Sequence, residues 1–132
     1  MKDTFLKKDL QDILPMKDKG GDIYIMLSPG NTGNENMIMG YAVTPVGEIV
    51  KAHCHPASEE CFFTVKGQGS VLFESGDIIE FKQNEAVRIP KKVVHTIKNT
   101  GSEELCVLFA SAPLAHSMEV GHVNGGVNEK NN

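Results

Sequence analysis

From Asp22 onward, apolar and polar residues alternate along the chain with a period of two. That is the pattern of strands that bury one face. It predicts short strands near 22–27, 37–44, 49–54, 59–65, 69–73, 77–81, 85–89, 93–98 and 104–111. Turn-forming residues separate them: Ser28-Pro29-Gly30-Asn31, Pro45-Val46-Gly47, Lys66-Gly67-Gln68-Gly69, Ser75-Gly76-Asp77 and Asn99-Thr100-Gly101. Short strands at even spacing with Gly/Pro turns point to an all-β sandwich or barrel. The beginning of the chain follows a different period. Phe5, Leu6, Leu10, Ile13 and Leu14 fall near one face of a short amphipathic helix, which Thr4 or Asp3 caps and Pro15 ends. The chain is therefore expected to comprise an N-terminal helical segment over 1–21, a barrel over 22–115 and a small, polar tail over 116–132, with the composition of a disordered segment from Asn124 to its end.

Length and charge narrow the function classes. The 132 residues fit one domain. Net charge is −4 and the basic residues are scattered, which argues against nucleic acid as a partner. No apolar run approaches the ~20 residues of a membrane span, and the first residues contain no apolar signal core. Three cysteines, Cys54, Cys61 and Cys106, form no CxxC pair. They read as reduced thiols, and the chain is expected in the cytoplasm. Arg88 is the single arginine, so one subunit cannot build a multi-arginine clamp for phosphates or dicarboxylates.

The informative stretch is GEIVKAHCHPASEECFFTVKG, Gly47 to Gly67. His53 and His55 stand at i and i+2, so in a strand both imidazoles face one way and Cys54 the other. A carboxylate follows on the next predicted strand, at Glu60 or Glu59, with Pro56 and Ser58 suited to the intervening turn. Another imidazole appears at His95, on a strand that starts after Pro90. Three imidazoles and one carboxylate suit a divalent first-row metal such as Mn, Fe, Ni or Zn. In an octahedral site such a set leaves neighbouring positions open for water, dioxygen or a chelating substrate, as catalytic rather than structural sites do.

These residues resemble the cupin superfamily. Its first motif runs Gly, five residues, His-x-His, three or four residues, Glu, six residues, Gly; Gly47, His53, His55, Glu60 and Gly67 satisfy every spacing, and the gap to Gly67 selects Glu60 over Glu59. In the second motif, Pro90, His95 and Asn99 match, whereas Asn84 and Lys92 stand where glycines are usual. Asn tolerates positive φ. Lys92 either relaxes the turn before His95 or points a cation toward the barrel rim. The resemblance implies a double-stranded β-helix, a jelly-roll barrel with a metal held near one mouth by His53, His55, Glu60 and His95. It also implies a homodimer built by exchanging or adding edge strands, for which the N-terminal segment is the natural candidate.

Fold alone does not choose a reaction. Oxalate-decarboxylase-like cupins carry an Arg where this chain has Val50, and dimethylsulfoniopropionate-lyase-like cupins a Tyr where it has Phe62. Both activities are disfavoured. By parity Glu60, Phe62 and Thr64 share a face, as do Val93, His95 and Ile97, which gives a mostly apolar wall with Phe62 close to the metal. Met39 and Tyr41, on one face with Met37, either line the same pocket or pack in the core. Cys54 and, by similar parity, Cys61 read as buried structural thiols. Arg88 reads as a rim or salt-bridge residue. His116, Glu119 and His122 either lie in a solvated tail or fold across the barrel mouth. The expected function is a metal-dependent enzyme acting on a small oxygen-bearing substrate by oxygenase, isomerase or lyase chemistry. The alternative is a cupin that binds a small carboxylate or sugar without turnover.

Overall fold

The computed structural model describes residues 5–54, 57–114 and 123–124. Its strands are β1 (Asp22–Leu27), β2 (Ile38–Thr44), β3 (Ile49–Cys54), β4 (Glu59–Lys66), β5 (Gln68–Phe73), β6 (Ile78–Lys82), β7 (Ala86–Ile89), β8 (His95–Asn99), β9 (Leu105–Ala112) and β10 (Val123–Asn124). They form two antiparallel sheets, β1-β2-β9-β4-β7 and β10-β3-β8-β5-β6. The all-β expectation holds. The turn at Ser28 becomes a short helix, α1 (Pro29–Thr32). Asn31 stabilises it, accepting from the Ser28 N–H and donating to the Met26 carbonyl, each at 2.9 Å. No helix among the described residues is long and apolar enough to cross a membrane.

The N-terminal helix does not form among the described residues. Only a 3₁₀ turn at Leu10–Asp12 appears, started by Asp9, whose carboxylate accepts from the Gln11 N–H at 2.9 Å. The amphipathic pattern is present, but its apolar side has too little to pack on: Phe5 is fully exposed and Leu14 nearly so. A helix this short does not persist on propensity alone.

The core lies between the inner faces of the two sheets. Phe62, Val87, Ile89, Leu105 and Val107 from one sheet meet Val50, Val71, Phe81 and Ile97 from the other. Phe62 on β4 and Phe81 on β6 make an edge-to-face contact across the layer, centroids 5.0 Å apart. On β2 the inward positions are small. A Cβ on Gly40 would sit 2.3 Å from the Phe109 ring, so glycine there is what lets that ring lie across the strand.

One end of the sandwich is closed by a buried amide. Asn99 Nδ2 donates to the Thr44 and Glu103 carbonyls, both at 2.9 Å, and its Oδ1 accepts from the Gly101 N–H at 2.9 Å. Gly67 closes the neighbouring turn at φ 87°, where an added Cβ would meet the Glu104 carbonyl oxygen at 2.8 Å.

Candidate metal centre

At the opposite end of β8, His95 is buried. Its Nδ1 lies 2.9 Å from the Val93 carbonyl oxygen. A carbonyl can only accept, so Nδ1 carries the proton, and in the neutral ring the Nε2 lone pair is presented on the other side. Nε2 lies 3.9 Å from Glu60 Oε1, and both side chains are shielded, at 0% and 11% exposure. Glu60 faces inward with Phe62, on a strand whose neighbouring residue Glu59 turns out to solvent. There Glu59 accepts from Arg88 Nε at 2.7 Å, and the guanidinium holds its carboxyl below the usual carboxylate range. The salt-bridge reading of Arg88 is met, and the carboxylate available to the interior is Glu60.

The backbone of His53 comes opposite that of His95 through an irregularity in β3. Val50 stands opposite Ile97 and His53 opposite His95, so three steps along β3 match two along β8. Such a bulge shifts the alternation of a strand and recurs beside functional sites. It sets His53 on the row of His95, a register that strict alternation from Val50 does not give. Side-chain placement of His53 and Cys54, and all of His55, lie outside the described residues, so Glu60 and His95 are the described part of the ligand set expected from the sequence. Among the described residues no three His, Cys, Asp or Glu side chains form a metal cluster.

The donor chemistry fits a divalent ion. An imidazole whose Nδ1 proton is held by a backbone carbonyl and a shielded carboxylate face one another, and both are donor types that divalent ions take. Around them the register builds an apolar wall. His95 stands opposite Phe73, Glu60 opposite Ile89 and Ser111, and Phe62 opposite Phe109. Phe73, Val93 and Phe109 pack against the core from this side. The sequence reading missed Phe73, Phe109 and Ser111. Their signal was parity at strand ends, which becomes readable only once the register is known.

Met39 and Tyr41 do not belong to this wall, and the expectation that they line the pocket with Phe62 is corrected. The inward row of β2 pairs Gly40 with Phe109 and thus with Phe62, while Tyr41 pairs with Leu108 and thus with Phe63 on the outer face. Both lie in a separate outer cleft of about 340 Å³, under the N-terminal arm with Leu6, Leu10, Met26 and Leu27. There burial, then a hydrogen bond with Cys106, pushes the Tyr41 hydroxyl up to about 12. Cys61 is also corrected, since it lies exposed on that outer face. Val50 is buried in the core. His116, Glu119 and His122 lie outside the described residues.

The family profile described as "Cupin domain" matches residues 40–111. The Streptomyces cyaneus protein named Polyketide synthase CurC is 33% identical over 116 residues, covering 88% of this chain and 75% of its own length. Among solved structures, a Thermotoga maritima protein described as a predicted oxalate decarboxylase superposes with TM-score 0.72 at 20% identity, covering 83% of this chain and 100% of its own. The polyketide cyclase RemF from Streptomyces resistomycificus does so with TM-score 0.70 at 12% identity, covering 89% of this chain and 90% of its own. At these identities the superpositions show the shared jelly-roll fold.

Proposed function

The chain belongs to the cupin domain family, and on that premise we propose that it is a metal-dependent enzyme acting on a polyketide-type substrate, a chain rich in 1,3-related carbonyls, by ring closure with loss of water. The observation that carries this reading is the shielded Glu60–His95 pair with the His95 tautomer fixed by Val93. His53, His55, Glu60 and His95 are the residues that would hold the metal. Held by these residues, a divalent ion would supply Lewis-acid polarisation of the substrate's carbonyl groups. His95 keeps its proton on Nδ1, against the Val93 oxygen, and leaves Nε2 for coordination. Phe62, Phe73, Phe109 and Val93 give the flat, conjugated parts of such a substrate an apolar surface and keep water from a reactive polyketone. The polyketide names of CurC and RemF support this substrate class, and lyase chemistry is the member of the oxygenase, isomerase and lyase set that it favours.

One observation favours the binding alternative: the described inward rows carry no ionisable side chain beyond Glu60 and His95. Metal-stripped protein is titrated with Zn²⁺, Mn²⁺, Fe²⁺ and Ni²⁺, then given a poly-β-ketone under mass spectrometry and oxygen monitoring. About one bound metal per chain and a cyclised, dehydrated product without oxygen uptake are expected. Oxygen incorporation, or tight binding without turnover, overturns the assignment. We also propose a homodimer, supported by Phe63, Val65 and Leu108 exposed on the outer face of the β1-β2-β9-β4-β7 sheet and by the bare Phe5 of the arm. Light scattering is expected to give twice the chain mass.

A further inference from the structure

The C-terminal segment touches the ligand-bearing stretch at both of its flanks. Where β9 ends, the Pro113 carbonyl accepts a hydrogen bond from Ser58 Oγ. Ser58 is buried and immediately precedes Glu59 and Glu60 of β4. Farther along, β10 pairs antiparallel with β3, Val123 opposite Cys54 and Asn124 opposite His53. Val123 and Asn124 therefore hold the end of β3, with His53, and Pro113 holds the approach to β4, with Glu60. Without β10, β3 would be the edge strand of its sheet. Edge strands, above all irregular ones, open locally at low cost, and β3 is interrupted between Val50 and His53.

We propose that Pro113 and β10 form a clasp on the metal-binding stretch: Pro113 holds Ser58, β10 pairs with Cys54 and His53, and the two together position His53 and Glu60 and slow release of the metal. The inference rests on the metal-centred reading above. Pro113, Val123 and Asn124 are positioning residues that act through the backbone of β3 and the Ser58 hydroxyl. Partners that fix the orientation of metal ligands are worth about 10–100-fold in metal affinity, and β10 is expected near the lower figure.

The test compares the full chain, the chain ended after Leu114 and the full-length variant V123P/N124P, which cannot donate to the β10–β3 ladder. Amide hydrogen exchange is read first, in metal-free protein. Residues 50–54 are expected to exchange about tenfold faster in both altered proteins, with β5 and β6 unchanged. Zn²⁺ release to a chelator is read second and is expected to quicken about tenfold. The visible bands of Co²⁺-loaded protein are expected to shift, because the ligand field changes with His53. Ser58→Ala is expected to act in the same direction with a smaller effect. Unchanged exchange in residues 50–54 together with unchanged metal release overturns the clasp while leaving the metal site standing. A full chain that takes up no Zn²⁺ or Co²⁺ overturns the metal reading, and exchange in the metal-free protein still decides whether β10 holds β3. If the shortened chain fails to fold, V123P/N124P decides it alone.

Discussion

Asn99 and His95 occupy the two ends of β8, each 1% exposed, and they are held in opposite ways. Asn99 is committed to backbone: its amide bonds the Thr44 and Glu103 carbonyls and the Gly101 N–H. His95 gives one nitrogen to the Val93 carbonyl and turns the other toward Glu60 across 3.9 Å. A buried polar side chain whose partners are all backbone atoms is a structural pin. One that faces a second ionisable side chain in a shielded place is the kind of group the proposed metal site would use. Both residues belong to the same sequence motif, so the motif joins the amide-pinned end to the end of the proposed metal site along a single strand.

The largest effect on stability is expected at the pin. Asn99→Ala leaves two carbonyls and an N–H without the side chain that serves them, at roughly 1–3 kcal/mol for each buried group left unmet. Allowing for relaxation and some access of water, a loss of about 3–5 kcal/mol is expected from urea denaturation of the metal-free protein. A loss below 1 kcal/mol would mean that this end is not pinned by its amide, and the contrast with His95 would fail.

Much of this was legible in the sequence. Alternation and turn residues located the strands, because Gly67, Gly47 and the Asn99-Thr100-Gly101 turn break the period where the chain reverses. The gap from Glu60 to Gly67 picked the inward carboxylate, and Glu59 proved to be bound by Arg88 at the surface. Alternation failed where the two faces of a strand do not differ in polarity. In β2 the inward residues Gly40 and Ala42 are small, and the outward Met39 and Tyr41 are large and apolar, since that outer face carries its own apolar cleft. Reading size as burial therefore inverted the strand. The N-terminal helix failed for a related reason: its stripe is real, but the fold offers Phe5 and Leu14 no surface. The bulge that sets His53 opposite His95 and the pairing of β10 depend on tertiary register, which no local pattern encodes.

A smaller effect, of opposite sign, is expected at the turn leading into His95. Lys92 sits at φ 67° and Asn84 at φ 72°, the two positions where a glycine is usual in this motif. Asn tolerates that region; Lys does so at a cost of roughly 1–2 kcal/mol, against which glycine sets a loss of chain entropy of roughly 0.5–1 kcal/mol. Lys92→Gly should thus raise stability by about 0.5–1 kcal/mol in the same denaturation experiment. It should leave metal binding intact, because the Lys92 side chain is exposed and the conformation is unchanged. A destabilised protein would mean that the lysine side chain contributes at the rim.

The smallest effect on stability is expected where the site itself is removed. Replacing both members of a buried ionisable pair with apolar residues of similar volume is often neutral or stabilising, because the desolvation penalty disappears with the charges. Glu60→Leu/His95→Leu gives up the hydrogen bond between His95 and Val93 and gains apolar contact with Phe62 and Ile89. In the presence of a chelator its unfolding free energy should stay within about 1 kcal/mol of the parent or rise, while metal uptake is lost. Each single substitution should cost more than the pair, because it removes one ionisable neighbour and leaves the other shielded from water. That ordering separates the two ends of β8. No double substitution around Asn99 can be neutral, since its Thr44 and Glu103 partners are backbone carbonyls that no mutation removes. If the double variant instead loses as much as Asn99→Ala, then His95 and Glu60 are part of the scaffold, and the open end of the barrel is held by the same kind of pin as the closed one.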